Sequence, residues 1–445
     1  MERANDTADH IHGRPEGPTL GVAHVVDRAI VRANQLDTHR REGRAERARM
    51  TARTGIAELD ALTGDEPDHA DTVSGLYAQF GSALLDAGSP EEALHAFRKG
   101  LAWAPDPTLP SASANRAMLA GLHAREGDLR RAEEEVEEAG AVTGDRLPPA
   151  DAAMLRTAEA IISLYRLDAV TATERLARAA AHVPSAGHWI PYVLAASTGE
   201  LLDGSPGRAL AFLDQCVREQ GAEARTDAAR GALAPLRAVL QLALGHPDAA
   251  AAVLDREPVT DSAERIGTAR VELVLGRHGA ALQKLRPLSA VVLSPRESAE
   301  ASALEAAALL RFSSEKRAAP VVDHLGALLA SSGGLLLPLA LLPPHDLARV
   351  VRALDALGYA QTVPLERVRS VLPDAGPGIV LTRRETAVLA TLLVHASHTA
   401  IAAELNVSVN TVKSQLRSVY RKLDVSTRDQ AIAVALERHL LVERE

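Results

Sequence analysis

The stretch YAQFGSALLDAGSPEEALHAFRKGLAWAPD, residues 77–106, combines three small residues with a phenylalanine, a leucine and a late proline. The positions concerned are Gly81, Gly88, Ala93, Phe97, Leu101 and Pro105. The whole chain is built in the same way, since 47% of it is hydrophobic, mostly Ala, Leu and Val, and only 2% is aromatic. Ala and Leu favour helices, whereas strands favour aromatic and β-branched residues. The composition therefore predicts packed helices and an all-α fold.

The 77–106 pattern resembles the tetratricopeptide repeat, which is a hairpin of two antiparallel helices. In that family a small residue lies where the helices cross, a turn joins them, and a proline marks the end of the second helix. The resemblance places Gly81 and Ala93 at the crossing. It also places Gly88 in the turn and Phe97 in the space between the two helices.

Weaker copies of this pattern follow along the chain, each with an alanine in the position of Ala93. These alanines are Ala132, Ala172, Ala209, Ala250, Ala281 and Ala318. Successive alanines from Ala93 onward are 39, 40, 37, 41, 31 and 37 residues apart. Most of these steps exceed the roughly 34 residues of the standard repeat. Degenerate hairpins with longer connections explain the steps, and an Ala-rich helical bundle is the alternative.

Stacked hairpins of this kind form a continuous α-solenoid, because each hairpin exposes an apolar face that only its neighbour can cover. We assign this tetratricopeptide-like solenoid to residues 66–371, preceded by a tail and lead-in helices in residues 1–65. The stack is expected to curve into a concave surface. The sequence predicts that this surface binds an effector, a protein or a peptide, but it does not identify the binding residues.

A break in the pattern separates the repeats from a C-terminal domain. The segment LPDAGPGIVL, residues 372–381, contains two prolines and two glycines, so we predict a linker over 372–380. In the following domain, residues 381–445, Thr382 and Glu385 have the spacing of a capping box that opens a helix ending near His395. The predicted buried residues of that helix are Val388, Leu389, Leu392 and Leu393.

Further caps and a tight turn predict three more helices in this domain. The positions are Ser397 as a cap, Asn406 with Val407 as the turn, Ser408 as a cap, and Ser426 with Asp429 as the last cap. A short helix and a tight turn, followed by a longer basic helix over about 409–423, indicate a helix-turn-helix. Such a motif places its second helix in the major groove of DNA.

The predicted third helix separates apolar residues from basic ones. The apolar residues follow a helical spacing and are Val412, Leu416, Val419 and Leu423. Lys413, Arg417 and Arg421 lie opposite at i and i+4, where like charges repel by about 0.3 kcal/mol per pair. Residues 408–428 hold five cations and one acid, although the whole chain has a formal charge of -9. A polyanion facing this helix would offset the repulsion.

The domain resembles the LuxR-type four-helix DNA-binding domain of bacterial regulators. The matching motifs are LTRRE (381–385), IAAEL (401–405), SVNTVKSQL (408–416), KL (422–423) and Arg428. By that resemblance, the residues near base edges are Asn410, Lys413, Ser414 and Arg417. The residues expected at phosphates are Thr411, Arg421, Lys422 and Arg428. The last helix commonly mediates dimerisation in this family, so a homodimer is also an expectation.

Some positions leave alternatives open or depart from the LuxR pattern. Lys422 and Arg428 have a second interpretation, as a solvated face or as salt-bridge partners of Asp424 or Asp429. The family has a proline where Arg383 stands and a histidine where Gln415 stands. The segment HASHTAIA, residues 395–402, lacks the Gly-containing turn and the Lys/Glu pair of the family. These departures leave the affinity for DNA open.

Large MalT-like regulators, such as the maltose-responsive activators, join an ATPase, a tetratricopeptide-like region and a LuxR-type domain. This chain resembles them without the ATPase, because it has no Gly-Lys dipeptide with which a P-loop could bind phosphate. We expect no enzyme activity and no cofactor. We also expect no metal site, since His395 and His398 have no third ligand nearby.

The sequence predicts a cytoplasmic protein without membrane contact. It has no apolar core of signal-peptide length near its first residue, and its single cysteine, Cys216, has no partner for an internal disulfide. The favoured function is a transcription regulator whose repeats sense an effector or partner. The alternative is a helical-repeat scaffold with a degenerate helix-turn-helix, and a sigma-factor-like domain is a minor third option.

Overall fold

A computed structural model of the chain describes residues 22–62, 67–104, 106, 108–143, 148–182, 189–312, 315–373, 382–395, 397–423, 425 and 427–437. Helices joined by short turns make up most of these residues, and none of them forms a strand. The all-α fold that the composition predicted is therefore confirmed.

Consecutive helices pair as hairpins along most of the chain. The hairpins are α1 (Val22–Arg41) with α2 (Ala45–Leu59), α3 (Ala70–Asp86) with α4 (Pro90–Trp103), α5 (Pro110–Glu126) with α6 (Leu129–Thr143), α7 (Pro149–Tyr165) with α8 (Ala169–Ala179), α9 (Trp189–Leu202) with α10 (Pro206–Glu219), α11 (Asp227–Ala243) with α12 (Pro247–Arg256), α13 (Asp261–Val274) with α14 (His278–Leu285), and α15 (Pro295–Phe312) with α16 (Glu315–Ser331). Then follow α17 (Leu337–Ala340) and α18 (Pro344–Ala356). Short 3₁₀ turns lie at Pro67–His69, Glu223–Arg225, Arg286–Ala290, Tyr359–Gln361 and Leu365–Arg367.

The hairpins stack through their first helices, from α1 and α3 to α13 and α15. The seven alanines of the sequence pattern, from Ala93 to Ala318, are all at most 1% exposed. Each therefore lies inside the stack, as the repeat spacing predicted. The hairpin solenoid is confirmed in this sense, whereas membership of the tetratricopeptide family stays a prediction. The lead-in helices α1 and α2 also form a hairpin, and it packs on α3.

Small residues let the two helices of a hairpin approach closely. A Cβ atom on Gly81 would lie 2.5 Å from the ring of Phe97, which is fully buried. Any larger residue at position 81 would therefore displace that ring. Gly88 joins α3 to α4 with a φ of +79°, a conformation that side chains with a Cβ rarely adopt.

The end of the solenoid folds back onto its middle. Helix α15 contacts α5, and α17 contacts α7. The backbone N–H of Leu336 donates to the carbonyl of Tyr165 at 2.7 Å, and Arg166 donates to the carbonyl of Gly333 at 2.9 Å. Residues 117–124 of α5 and 160–165 of α7 are buried throughout. The part of the predicted concave surface that α5 and α7 would form is thus filled by the chain itself.

A buried ion cluster joins three helices at this closure. Arg270 on α13 is 3% exposed and donates to Glu300 on α15 at 2.5 Å. Arg296 donates to the other oxygen of Glu300 at 3.0 Å and to the carbonyl of Arg125 on α5 at 3.2 Å. Burial by itself would raise the pKa of Glu300, but the two arginines outweigh burial and lower it. Glu300 is therefore a carboxylate that holds two arginines in place.

We expect Glu300→Gln to destabilise the repeat region by about 3 kcal/mol, because the change leaves two arginines without a buried counter-charge. The measurement is urea unfolding of the full chain, followed by helix content. The matched control is Glu200→Gln, which breaks an exposed pair with Arg208. An exposed pair contributes about 1 kcal/mol or less. Equal losses in the two variants would contradict the role of the buried cluster.

Candidate nucleic-acid interface

Residues 382–437 form a small helical domain with its own hydrophobic core. Its helices are α19 (Arg383–Val394), α20 (His398–Glu404), α21 (Val409–Leu423) and α22 (Arg428–Glu437). The core includes the predicted residues Val388, Leu389, Leu392, Val412, Leu416, Val419 and Leu423. Leu393 was wrongly predicted to be buried; it is 38% exposed, and its neighbour Val394 is 77% exposed. Both lie at the end of α19, where no other described helix covers them.

The predicted caps of the first three helices are confirmed. Thr382 and Glu385 form a reciprocal capping box, in which the Thr382 N–H donates to the Glu385 carboxylate at 2.7 Å. Ser397 accepts from Ala400 N–H at 3.2 Å, and Ser408 accepts from Thr411 N–H at 3.1 Å. For the fourth helix, Ser426 lies outside the described residues. Thr427 and Gln430 form the reciprocal pair before α22.

The turn between α20 and α21 is fixed by Asn406. This residue has a φ of +51°, in the left-handed region. The N–H of Asn406 donates to the carbonyl of Ala403 and that of Val407 to the carbonyl of Ala402. This pair of bonds is the Schellman motif, which ends a helix and turns the chain. The turn sets the angle at which α21 leaves α20.

Glu385 connects the start of α19 to the far half of α21. It is 4% exposed and accepts from Ser418 at 2.7 Å and from Lys422 at 2.5 Å, in addition to its bond with Thr382. Burial would raise the pKa of Glu385, but these hydrogen bonds outweigh burial and lower it to about 2. The carboxylate is therefore ionised at neutral pH and holds α21 against α19.

One face of α21 is exposed and cationic. Asn410, Lys413, Ser414, Arg417 and Arg421 are all exposed along it. None of the three cations has an ion-pair partner among residues 382–395, 397–423, 425 and 427–437. The face spans about 12 Å from Lys413 to Arg421 at 1.5 Å per residue. An α-helix with this face outward fits the width of a B-DNA major groove.

The other three predicted contact residues have partners within the domain. Thr411 is half-buried, and its hydroxyl lies 2.8 Å from that of Ser408. Lys422 pairs with Glu385, and Arg428 donates to the carbonyls of Leu392 at 2.8 Å and His395 at 3.3 Å. The Arg428 contacts satisfy carbonyls at the end of α19. The structure thus brings five of the eight residues together on one open face.

Sequence reasoning missed the link from Glu385 to Ser418 and Lys422. The alternative partners named for Lys422 were Asp424, which lies outside the described residues, and Asp429, but the described partner is Glu385. Glu385 and Lys422 are 37 residues apart, and no local spacing connects them. The available signal was the capping box, because a Glu at that position faces the domain rather than solvent when its helix packs on another.

An all-α chain with a capped helix-turn-helix and an open cationic second helix defines a class of DNA-binding proteins. Residues 379–435 match the family described as bacterial regulatory proteins, luxR family (GerE). This C-terminal part is therefore a LuxR-family helix-turn-helix domain. The transcriptional regulatory protein YdfI of Bacillus subtilis (strain 168) is similar, with 33% identity over 87 residues. That match covers 20% of this chain and 39% of YdfI.

Neither a metal-binding cluster nor a membrane-spanning helix is present in the described ranges. No group of three or more His, Cys, Asp or Glu side chains is arranged there to hold a metal ion. None of the helices in those ranges has the length and apolar character needed to span a bilayer.

We expect Glu385→Gln to destabilise the domain by about 3 kcal/mol at pH 7, because the change removes the buried carboxylate that pairs with Lys422 and whose pKa is lowered to about 2. This stabilisation is present above pH 4.5 and is lost as the pH falls through about 2. The measurement is hydrogen exchange of α19 and α21 in the full chain. Glu404→Gln is the control, since Glu404 is exposed and pairs only loosely with His395 at 3.8 Å. Unchanged protection of α21 in Glu385→Gln would refute the proposed link.

Position 406 gives a second test of the domain. Asn406→Gly keeps the left-handed turn and is expected to leave stability nearly unchanged. Asn406→Val forces a β-branched residue into that conformation and should cost about 1–2 kcal/mol. The thermal midpoint of the domain, followed by hydrogen exchange at increasing temperature, distinguishes the two. Equal effects would mean that the turn does not depend on the backbone of residue 406.

Proposed function

We propose that this protein is a transcription regulator that binds promoter DNA through α21. The observation that carries the proposal is the face of α21 in a LuxR-family domain, with three exposed cations that have no ion-pair partner in the described part of that domain. Because the chain as a whole is acidic, a general excess of basic residues does not explain this positive face. The similarity to the transcriptional regulatory protein YdfI supports the same function. Such a role implies a cytoplasmic location.

The position of each residue on the exposed face suggests whether it contacts a base edge or a phosphate. Asn410, Lys413, Ser414 and Arg417 lie on the first turns of α21, which are the turns that reach base edges in a helix-turn-helix. Arg421 lies about one turn beyond Arg417 and suits a phosphate. Thr411 is adjacent to the cap and also suits a phosphate. Lys422 and Arg428 can contribute positive potential, although both also stabilise the domain.

The double change Lys413→Ala with Arg417→Ala should abolish sequence-selective binding. A duplex selected from a random pool by the full chain provides the ligand, and fluorescence anisotropy at several salt concentrations provides the affinity. The slope of log affinity against log salt concentration should also become shallower. Each lost phosphate contact removes about 0.9 from this slope, so the two cations together remove about two at most.

The matched control for this experiment is Lys316→Ala with Arg317→Ala. Both residues are exposed on α16, so the control removes the same charge from the repeat region. It should leave the selected duplex bound with unchanged affinity. Equal weakening by both double changes would show that only net charge matters, and an unselective wild-type protein would refute the proposed function.

We also propose that the repeat region senses an effector or a partner and alters DNA binding by the C-terminal domain. The support is that one chain joins a helical stack to a DNA-binding domain. The filled middle of the stack restricts where such a ligand could bind. Leu335, Leu336 and Leu339 are at most 1% exposed against the middle of the stack. Displacing them would cost about 5 kcal/mol or more, at roughly 2 kcal/mol per leucine.

The scaffold alternative gains no support from the geometry. It rested on the departures at residues 395–400, yet Ser397 caps α20 and the following Ile401 is fully buried. The helix-turn-helix is therefore formed despite the altered residues. A homodimer through α22, the last helix, remains part of the proposal, and it would match a two-fold symmetric DNA site.

A further inference from the structure

A cavity of about 30 Å³ lies where the first two hairpins meet the fifth and sixth. Its walls come from the end of α1 and start of α2, the end of α3, the start of α9, and the turn before α11. This space holds about two water molecules. The cavity is separate from the filled middle of the stack and from the DNA-binding face.

The cavity walls combine apolar surface with three charged side chains. Trp189, which is 4% exposed, and Ile190 provide the largest apolar walls, and alanines of α2 and α3 provide the rest. The charged side chains are Arg40, Asp86 and Glu223, and Arg40 forms an ion pair with Asp86. One cation against two carboxylates leaves the cavity with a formal charge of -1 when both acids are ionised.

The ionisation of Asp86 reflects this shortage of positive charge. Burial raises the pKa of Asp86 to about 6, and Glu223 adds to this effect, whereas Arg40 and the more distant Arg125 oppose it. The two arginines therefore do not compensate for burial and for the second carboxylate together. A further positive charge in the cavity would stabilise both carboxylates.

The cavity also joins parts of the stack that are distant in sequence. A Cβ atom on Gly43 would lie 2.7 Å from the carbonyl oxygen of Ala222, and one on Gly88 would lie 3.4 Å from the Cβ of Ala228. The turns of the first two hairpins thus contact the segment that opens the sixth hairpin. A ligand in the cavity would touch both sides of this contact.

We propose that the cavity binds a primary ammonium group carried on a short apolar stem, with the ammonium beside Glu223 and Asp86 and the stem against Trp189. An ammonium ion supplies the missing positive charge and three N–H donors. An indole ring is also the aromatic side chain best suited to a nearby cation. An anion would meet the net negative charge, and a neutral alcohol would leave it uncompensated.

In the sensing role proposed above, this cavity would be the site where the effector binds. Only its effect on regulation rests on that proposed function. Occupancy would favour one arrangement of the first two hairpins relative to the fifth and sixth. Binding of the ammonium group itself depends on the cavity alone, so it can be measured without DNA.

Ethylammonium chloride is the probe, and the fluorescence of Trp189 in the full chain is the signal. The chain has two tryptophans, so a Trp103→Phe background leaves Trp189 as the only one. A ligand of three heavy atoms binds with a Kd of about 1 mM or weaker. We expect a saturable change with ethylammonium and no saturable change with propionate, ethanol or sodium chloride at equal concentration.

Two variants test the assignment of the site. Glu223→Gln removes the net negative charge and should raise the half-saturating concentration about tenfold. Ala87→Leu fills the cavity from its wall without changing charge and should abolish the response. Glu46→Gln removes a carboxylate from the exposed side of α2 and should change the half-saturating concentration less than twofold.

No saturable signal, an equal response to ethanol or propionate, or an unchanged response in Glu223→Gln would each overturn the proposed site. DNA binding by the same protein is measured separately, without ethylammonium. Loss of DNA binding with an intact Trp189 response would refute the proposed function and not the cavity. A silent cavity with intact DNA binding would refute the cavity alone.

Discussion

Close approach between paired helices is the constraint on which the repeat region depends. Two helices can cross tightly only where one side chain is small, and the alanines of the repeat pattern, such as Ala93 and Ala132, are fully buried. Phe97 then fills the space that Gly81 leaves, so a small residue on one helix and a large one on its partner act as a unit. The stack exists because this arrangement recurs, and each hairpin covers the apolar face of the one before.

This recurrence allowed the helical hairpins to be predicted from the sequence. Small residues that recur along the chain are local signals, and so are the caps Thr382, Ser397 and Ser408, which is why the hairpins and the first three helices of the C-terminal domain were predicted well. The contacts that close the molecule carry no local signal. Arg125 and Arg296 are 171 residues apart, and nothing in either segment indicates that α15 packs on α5. Leu393 was misjudged for a related reason, because its spacing fits the buried stripe but α19 extends beyond the helices that cover it.

Two groups of cations differ in their surroundings, which are those paired with buried glutamates and those exposed on α21. Arg270 and Arg296 are held by one buried glutamate, and Lys422 is held by another. In each case the carboxylate fixes the relation between two helices that are distant in sequence. Lys413, Arg417 and Arg421 instead repel one another on an open surface. A cation held by a buried carboxylate, Lys422, thus lies one residue from Arg421, an exposed cation without an ion-pair partner among the described residues of the domain.

The energy needed to open each part of the stack limits how a ligand could act on the DNA-binding domain. A ligand shifts an equilibrium only by its difference in affinity for two states, and typical couplings are about 1–3 kcal/mol. Exposing the leucines that close the middle of the stack would cost more than that, so the sensing that we propose must leave them in place. The turns at Gly43 and Gly88 lie against Ala222 and Ala228, in the segment that opens the sixth hairpin. A change of contact confined to these turns would leave the closing leucines buried. For this reason we propose the region around the small cavity, rather than the filled interior, as the place where a ligand acts on the solenoid.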